Sequence, residues 1–424
     1  MQTHKQGLNI IGYIDGMFGL GEAVRLNIKA ATKHGIPLSL INYDKVKRNI
    51  NYEYSFDYSI NLVQISLKDL KSFFGIINPN IFKGRYTILY LVWESEYIDP
   101  ELAENLNLFN EIWTTSKYCK SIFQKTYKNP IIIIPHPVEV SIKPLDNPNT
   151  LQVFNEKKFS FLFIFSYHSS IERKNPFFLI EAFKAAFRDN DDVELIIKTV
   201  NSDQYKKSKN RLQQCVSDAK NIKIYDIELD KNSLNQLINT CDAYVSMHHS
   251  EGFGLTLAEA MYLGKPTVAT NYSGNTEFMN QDNSYLIDYK ISLIEEPDLN
   301  FCAKTIWANP ILGDAVDKLK EVYENSELRK LKASNASLYI KDKLSFYTIG
   351  SIIKNRLNHL HTKFDDLITN QNQNIYLINQ LQLAKTEKEK IHREIRRMKK
   401  NIIIRFILIL KNSTRKIKKS RSKQ

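Results

Sequence analysis

Two glutamates bracket a glycine-containing loop whose backbone is suited to holding an anion. Glu251 precedes Gly252-Phe253-Gly254, and Glu259 lies eight residues after Glu251. Glycine lets backbone N–H groups approach a ligand closely, and the N-terminus of a following helix adds partial positive charge. Glycine-containing turns between a strand and a helix are common in α/β proteins. These features alone therefore leave a ligand site and an ordinary turn equally open.

Two adjacent cations follow another apolar run. Arg173 and Lys174 come shortly after residues 159–166 and precede a segment of helical character. In isolation, a solvated Arg-Lys pair is the simpler interpretation. If the Glu251 loop lies at the same edge of a sheet, the pair becomes a candidate for binding an anion.

Four weaker candidates lie at the ends of apolar runs in the first third of the chain. Gly19 and Gly21 follow the first run, but their spacing is not G-x-G-x-x-G, so a tight turn remains an alternative to a ligand loop. Glu94 ends another run, where it either faces a cleft or is a surface carboxylate. His136, between two prolines, either lines the cleft or caps a turn.

The elements that must position these residues alternate between strands and helices. Such alternation predicts an α/β protein with parallel, doubly wound sheets. Residues 139–158 are rich in Pro, Asn and charge and form the best linker candidate. The predicted units are residues 1–140, a linker at 141–158, 159–345, a crossover helix and candidate coiled coil at 346–392, and a basic amphipathic tail at 393–424. We expect helices to fill most of residues 301–341.

The loop around Glu251 resembles a known family. Glu-Gly-Phe-Gly-Leu-x-x-x-Glu-Ala, followed by Gly-Lys-Pro-x-Val-Ala-Thr, is similar to the E-x7-E signature of family 4 retaining glycosyltransferases of the GT-B fold. The similarity continues through residues 271–277, which end in Glu277. That family commonly has an Arg five residues before a Lys after the corresponding strand. Here the two are adjacent, as in a branch with Arg-Lys-Asn-Pro.

The resemblance implies two Rossmann-like domains that face a cleft. It also implies retaining transfer of a hexose from a nucleotide-sugar to a hydroxyl of a glycan or lipid-linked acceptor. By resemblance, Lys174 and Arg173 bind the donor diphosphate, Glu251 contacts the transferred sugar and Glu259 binds the ribose. The further donor-binding candidates are Phe253, Gly254, Leu255, Thr256, Gly19 and Gly21, and Glu94 and His136 are weak candidates for the acceptor cleft.

The sequence indicates metal-independent chemistry. No Asp-x-Asp lies at the end of a predicted strand, and Arg173 with Lys174 could take the role that Mg²⁺ has elsewhere. We expect no cofactor, since the nucleotide-sugar is a substrate. The competing functions are an epimerase or hydrolase of nucleotide-sugars, and a non-catalytic binding module. An epimerase would need a set of carboxylates that we cannot assign, and a non-catalytic module would be expected to have lost Glu251, Lys174 or Glu259.

The positive charge of the chain is concentrated at its end. Thirteen basic residues and one acid lie between Arg393 and Gln424, a net charge of +12 out of the chain's +13. The apolar run at 402–410 is too short to span a membrane and is interrupted by Arg405. Cations beside Ile, Phe and Leu suit an interfacial helix on an anionic leaflet. RNA binding is the weaker alternative, because the run has Phe406 but no Tyr or Trp for stacking.

A second segment near the end favours self-association. Apolar residues follow a 3–4 repeat, with two polar residues on the same seam: Leu357, Leu360, Phe364, Leu367, Gln371, Asn374, Ile378 and Leu381. A homo-oligomeric coiled coil and a solvated helix packed on the body are equally open.

The four cysteines are scattered, which excludes a disulfide framework or zinc ribbon and favours a reducing compartment. The first residues show no signal peptide. We therefore expect a cytoplasmic protein, which the basic tail holds on the inner face of the plasma membrane. The resemblance to family 4 glycosyltransferases implies a role in bacterial surface polysaccharide synthesis.

Overall fold

The described part of the chain folds around two six-stranded parallel sheets and one two-stranded antiparallel sheet. The structure is a computed structural model that describes residues 5–49, 52–144, 157–294 and 305–368, with residue 154 and scattered positions between 380 and 398. The pair of Rossmann-like sheets expected from the alternating pattern is therefore confirmed.

The first sheet contains six short strands: β1 Leu8–Gly12, β2 Leu38–Asn42, β3 Ile60–Gln64, β4 Tyr86–Leu91, β5 Glu111–Thr114 and β6 Ile131–Ile133. Five helices connect or flank them: α1 Gly19–Lys33, α2 Tyr43–Arg48, α3 Leu70–Ile76, α4 Pro100–Glu104 and α5 Lys117–Phe123. The strand order is β2-β1-β3-β4-β5-β6. Strands such as β4 are buried along their whole length, as is usual where helices cover both faces of a parallel sheet.

The second sheet repeats this design with the order β12-β11-β10-β7-β8-β9. Its strands are β7 Phe159–Ser166, β8 Val193–Val200, β9 Ile222–Asp226, β10 Ala243–Ser246, β11 Thr267–Thr270 and β12 Tyr285–Ile287. The helices between them are α6 Ile171–Lys174, α7 Pro176–Phe187, α8 Lys206–Val216, α9 Lys231–Thr240 and α10 Leu255–Tyr262.

A hairpin that the sequence analysis missed follows the second sheet. It pairs β13 Tyr289–Leu293 with β14 Ile306–Pro310 in antiparallel register. Helices fill most of residues 301–341, as expected, but Ile306–Pro310 forms β14 instead, because it pairs with β13. The helices that follow are α11 Leu312–Glu324, α12 Ser326–Lys343, α13 Phe346–Thr362 and α14 Phe364–Ile368.

Helix α13 leaves the second sheet and packs against α1 beside the first. A Cβ at Gly350 would lie 2.4 Å from the carbonyl oxygen of Ala30, so the two helices touch closely. The fully buried carboxylate of Glu111 accepts from Arg356 Nε at 3.0 Å. A contiguous set of buried apolar side chains includes residues of both sheets and of α13. The crossover helix therefore ties the two halves together.

The first residues of the predicted coiled-coil seam pack against other residues of the same chain. Leu357, Leu360 and Phe364 are buried in the same apolar cluster as Tyr90 of β4. For these positions the structure has a helix packed on the body. The seam residues Gln371, Asn374, Ile378 and Leu381 lie outside the described residues, as does most of the basic tail.

Candidate functional site

The topology of the second sheet creates a crevice at its carboxyl edge. Strands β7 and β10 are neighbours, but the chain leaves β7 toward β8 on one side and returns to β10 on the other. Loops that diverge at such a switch point commonly bind ligands in open α/β sheets. This topology brings together Lys174 and Glu251, which are 77 positions apart in sequence.

The loop that carries Glu251 is shaped by close backbone packing. Gly254, just before α10, has a φ of 91°, in the left-handed region that favours glycine. A Cβ at Gly274 would lie 2.1 Å from the carbonyl oxygen of Gly252, so these segments touch backbone to backbone. The carbonyl of Glu251 accepts from the amide of Gly274 at 2.8 Å, and its amide donates to Ser273 Oγ at 2.7 Å. The side chain of Glu251 thus projects from a firmly held backbone.

Both candidate cations bind the carboxylate of Glu251. Lys174 donates to Oε1, and Arg173 Nη1 lies 3.1 Å from Oε2. Arg173 is held in turn by the carbonyls of Ser250, at 2.8 Å, and Ser169, at 3.2 Å. Arg173 and Glu251 are only 5% and 7% exposed. Water therefore screens these charges less than it would at an open surface.

A single helical turn, α6, presents the two cations. It lies between two residues with positive φ, Ser170 at 66° and Asn175 at 54°. Such conformations cost about 1–3 kcal/mol unless the surroundings hold them. Here Ser170 Oγ accepts from the amide of Arg173 at 3.1 Å, and Asn175 Nδ2 donates to the carbonyl of Met247 at 2.9 Å. The first bond closes the cationic turn, and the second attaches it to the end of β10.

The neighbouring charges alter the pKa of each member of the cluster. Burial alone would raise the pKa of Glu251, but Lys174 and Arg173 lower it to about 2. Burial lowers the pKa of Lys174, and Arg173 adds to this effect, while Glu251 opposes it. Burial would also lower the pKa of Arg173, but Glu251 and Glu94 outweigh it and raise that pKa. Glu251 is therefore an anion at neutral pH.

Glu94 joins the cluster from the loop after β4. Its Oε1 lies 3.9 Å from Arg173 Nη2. Its carbonyl accepts from the hydroxyl of Tyr118 at 3.0 Å and from that of Ser250. The structure thus brings one of the weak candidates for the acceptor cleft to the same place as Glu251.

The loop of Glu251 rests directly on the first sheet's connecting segments. The carbonyl of Gly252 accepts from Thr115 Oγ1 at 2.9 Å and from Ser116 Oγ at 3.1 Å. The carboxylate of Glu277 accepts from the amide of Lys117, the first residue of α5, at 2.8 Å. In the sequence, Glu277 only marks the end of a motif; in the structure it connects the two halves of the chain.

Glu259 lies on α10 and is buried at 3% exposure. Its carboxylate accepts from Lys231 Nζ, a residue that the sequence analysis did not single out. Lys231 occupies the first turn of α9, next to the N-cap Asp230. A cation is electrostatically unfavourable at a helix N-terminus. That unusual position is the signal from which Lys231 could have been found.

His136 and Phe253 pack against each other behind the loop. The rings lie 5.1 Å apart, and Tyr90 stacks on the other side of His136. The hydroxyl of Tyr90 donates to the carbonyl of Ile134 at 2.7 Å and lies 3.0 Å from His136 Nδ1. Burial lowers the pKa of His136 to about 3, so the imidazole is neutral. Because the Phe253 side chain is in the core, only its backbone amide remains for a ligand.

The remaining candidates lie at two helix starts. Leu255 and Thr256 form the first turn of α10 and are half-buried. Gly19 begins α1 and is exposed, with open space where a Cβ would be. Gly21 is buried, and a Cβ there would lie 2.1 Å from the carbonyl oxygen of Gly16. Gly21 therefore serves the packing of the loop on α1, whereas Gly19 leaves space beside the helix N-terminus.

The described residues contain no group of three or more His, Cys, Asp or Glu side chains arranged to hold a metal ion. In the same part of the chain, no helix combines the length and apolarity needed to cross a membrane.

Comparisons with solved structures show the fold. HepE of Anabaena, in complex with UDP and glucose, is 15% identical with a TM-score of 0.59, over 84% of this chain and 100% of that one. Sucrose-phosphate synthase of Thermosynechococcus elongatus is 10% identical with a TM-score of 0.62, over the same shares of 84% and 100%. TarM of S. aureus is 17% identical with a TM-score of 0.52, over 70% of this chain and 55% of TarM.

Comparisons of sequence give one family. No curated protein matches the chain. Residues 150–294, which include Arg173, Lys174, Glu251 and Glu259, match the family model described as glycosyl transferases group 1. The chain thus has the two-domain GT-B fold, and the part that carries its candidate site matches the glycosyl transferases of group 1.

Proposed function

We propose that this protein is a retaining glycosyltransferase that moves a hexose from a nucleotide-sugar to a hydroxyl of a glycan or lipid-linked acceptor. The observation that carries the proposal is the carboxylate of Glu251, held between Lys174 and Arg173 in the crevice of the second sheet. The match of residues 150–294 to glycosyl transferases supports it.

The two cations act on the leaving group. Departure of a nucleoside diphosphate builds negative charge on its β-phosphate, and Lys174 and Arg173 stabilise that charge when the donor binds. The backbone amides at the start of α10, including those of Gly254 and Leu255, add to this effect, because the first N–H groups of a helix have no partner within the helix. A helix N-terminus contributes roughly 0.3–2 kcal/mol, so the two cations carry the larger share.

The two glutamates bind different parts of the donor. Glu251 contacts the transferred sugar, and its low pKa keeps it an acceptor of hydrogen bonds from sugar hydroxyls. Glu259 binds the ribose hydroxyls, with Lys231 compensating its buried charge. Glu94 lies across the crevice from α6 and faces the acceptor. The reaction needs neither a metal ion nor a cofactor, because Arg173 and Lys174 supply the positive charge.

The setting we propose is the inner face of a bacterial plasma membrane, in surface polysaccharide synthesis. The basic tail from Arg393 onward would hold the enzyme at anionic lipid, near a lipid-linked acceptor. We assign no nucleic-acid partner. Self-association remains an alternative only for the part of the seam beyond Leu367.

The test is a screen of UDP-, GDP- and ADP-sugars for thermal stabilisation, followed by transfer assays with the donor that binds. A ligand at one hundred times its dissociation constant adds about 2.7 kcal/mol of stability. Binding followed by transfer with retained anomeric configuration supports the proposal. Binding without transfer to any hydroxyl acceptor favours a binding module, and epimerised or hydrolysed donor favours the other enzyme classes.

A further inference from the structure

Lys198 is a buried cation that has no role in the donor site as described above. It lies near the carboxyl end of β8 and is 5% exposed. Within the described ranges, its ammonium has neither a carboxylate within 4.0 Å nor a hydrogen-bond acceptor. Lysine is almost never buried without a partner. The ammonium still reaches solvent, so a ligand in the crevice can supply that partner.

The register of the sheet shows which way Lys198 faces. It is paired with Ile164 of β7 and Tyr225 of β9. Paired residues of parallel strands point to the same face. Ile164 packs in the cluster that contains Leu257 and Ala258 of α10. Lys198 therefore lies on the face covered by α10, at the carboxyl edge where the crevice opens.

The nearest acidic residue on the neighbouring strand is already engaged elsewhere. Asp226 accepts from Thr199 Oγ1 at 3.0 Å and from Ser202, and Lys209 Nζ lies 3.6 Å away. Thr199 is adjacent to Lys198 in β8 and so points to the opposite face. Burial lowers the pKa of Lys198, and Asp226 and Glu228 oppose this only at a distance.

Lys198 and Lys174 lie in different parts of the crevice. The carboxylates that influence Lys198 are those of Asp226 and Glu228, at and after the end of β9, whereas Glu251 and Glu94 influence Lys174. Glu259 lies toward the β9 side, since its ion pair is with Lys231 at the start of α9. If the donor has its diphosphate at Lys174 and its ribose at Glu259, its base lies at the ends of β8 and β9.

We propose that the Lys198 ammonium donates a hydrogen bond to the carbonyl oxygen O4 of uracil or O6 of guanine in the donor's nucleobase. This inference rests on the proposed function and adds specificity to it. Uracil and guanine present a carbonyl oxygen where cytosine and adenine present an amino group. An ammonium group is a donor only, so it attracts the oxygen and rejects the amino group. Lys198 thus selects donors of the UDP or GDP class over CDP or ADP.

The experiment measures the dissociation constants of UDP, CDP, GDP and ADP for the intact chain by calorimetry. The wild type is expected to bind UDP more tightly than CDP, or GDP more tightly than ADP. Lys198→Met should raise the dissociation constant of the favoured nucleotide by about tenfold to a hundredfold, which is the loss of affinity expected when a charged hydrogen bond is removed. The dissociation constant of the nucleotide with an amino group at that position, CDP or ADP, should change little. Lys220→Met, at an exposed lysine of the same domain, is the matched control and should change neither.

A second measurement separates a binding role from a structural one. Because Lys198 is buried without a protein partner in the described part of the chain, Lys198→Met should leave the nucleotide-free melting temperature unchanged or raise it. Lys198→Gln, whose amide both donates and accepts, should abolish the preference in either direction. It replaces Lys198→Met if that variant does not fold.

Three outcomes would overturn the inference: equal loss of UDP and CDP binding, unchanged binding in Lys198→Met, or no preference in the wild type. A lower melting temperature for Lys198→Met without nucleotide would assign the lysine to the fold instead. Failure of the wild type to bind any nucleotide would reject the proposed function itself, which keeps the two failures distinct.

Discussion

Lys231 and Glu259 form an ion pair that joins the first turn of α9 to the body of α10. The carboxylate is buried, whereas the lysine side chain is 39% exposed. The pair places a charged acceptor inside the crevice without leaving that charge uncompensated. Glu251 is paired with Lys174 in the same way, so each of the two glutamates in the crevice has a lysine partner.

Lys231→Met should destabilise the protein, because it leaves the buried carboxylate of Glu259 without its partner. We expect the free energy of unfolding to fall by about 1–3 kcal/mol, less than for a fully buried pair because Lys231 is partly solvated. Chemical denaturation measures this. Lys231→Met combined with Glu259→Gln should recover most of the loss; no recovery would mean that the two side chains are not coupled.

Lys174→Ala and Glu259→Ala should each abolish transfer while the fold stays intact. Lys174 is needed for charge on the leaving phosphate, and Glu259 for holding the ribose. Losses of a hundredfold or more correspond to at least about 2.7 kcal/mol of transition-state stabilisation. Turnover and melting temperature are measured together, with Lys220→Ala as the control. Near wild-type turnover in both variants would show that the site assignment is wrong.

Gly274→Ala should displace the loop of Glu251. The added Cβ would lie 2.1 Å from the carbonyl oxygen of Gly252, and backbone cannot move aside as a side chain can. Overpacking of this kind costs about 1–3 kcal/mol, and donor affinity should fall with stability. Gly313→Ala is the control: it lies in α11 with nothing within 4 Å of the added Cβ. If both variants melt at the wild-type temperature, the contact between the two loop segments does not constrain the protein.

Transfer should survive treatment with EDTA. The reason is the pair Arg173 and Lys174, which supplies the positive charge that a divalent cation provides in other glycosyl transfers. The measurement is the initial rate before and after chelation and after adding back Mg²⁺ or Mn²⁺. Complete loss on chelation, followed by recovery with metal, would contradict the mechanism.

The chain should bind vesicles through its basic tail. The net charge of +12 from Arg393 onward attracts anionic lipid, and salt weakens this because exposed charges are screened within about 8–10 Å. Flotation of the full chain is compared with a chain ending at Lys390. Equal flotation of both, or no binding to anionic vesicles at low salt, would contradict the anchor. A shortened chain that keeps activity on a soluble acceptor but loses it on a lipid-linked one would support the anchor.

Local patterns in the sequence were sufficient to predict much of the fold. Runs such as 159–166 are apolar at every position, and a strand buried on both faces requires that composition. The break after β10 at Glu251-Gly252-Phe253-Gly254 and the helix that follows were also readable, because glycine geometry and helix propensity act over a few residues. The GT-B fold was anticipated from the E-x7-E motif by resemblance.

The tertiary structure decided which distant residues meet. Arg173, Lys174 and Glu94 reach Glu251 only because β7 and β10 are neighbours and because the loop after β4 lies against that of β10. The hairpin of β13 and β14 was missed because antiparallel pairing depends on a partner strand rather than on local propensity. In the sequence, the position of Lys231 at a helix N-terminus is the only signal that sets it apart, and Lys198 carries no comparable signal. Burial, strand register and the charges around them depend on the folded chain. Only the tertiary structure therefore shows Lys231 as the partner of a buried carboxylate and Lys198 as a buried cation with no partner among the described residues.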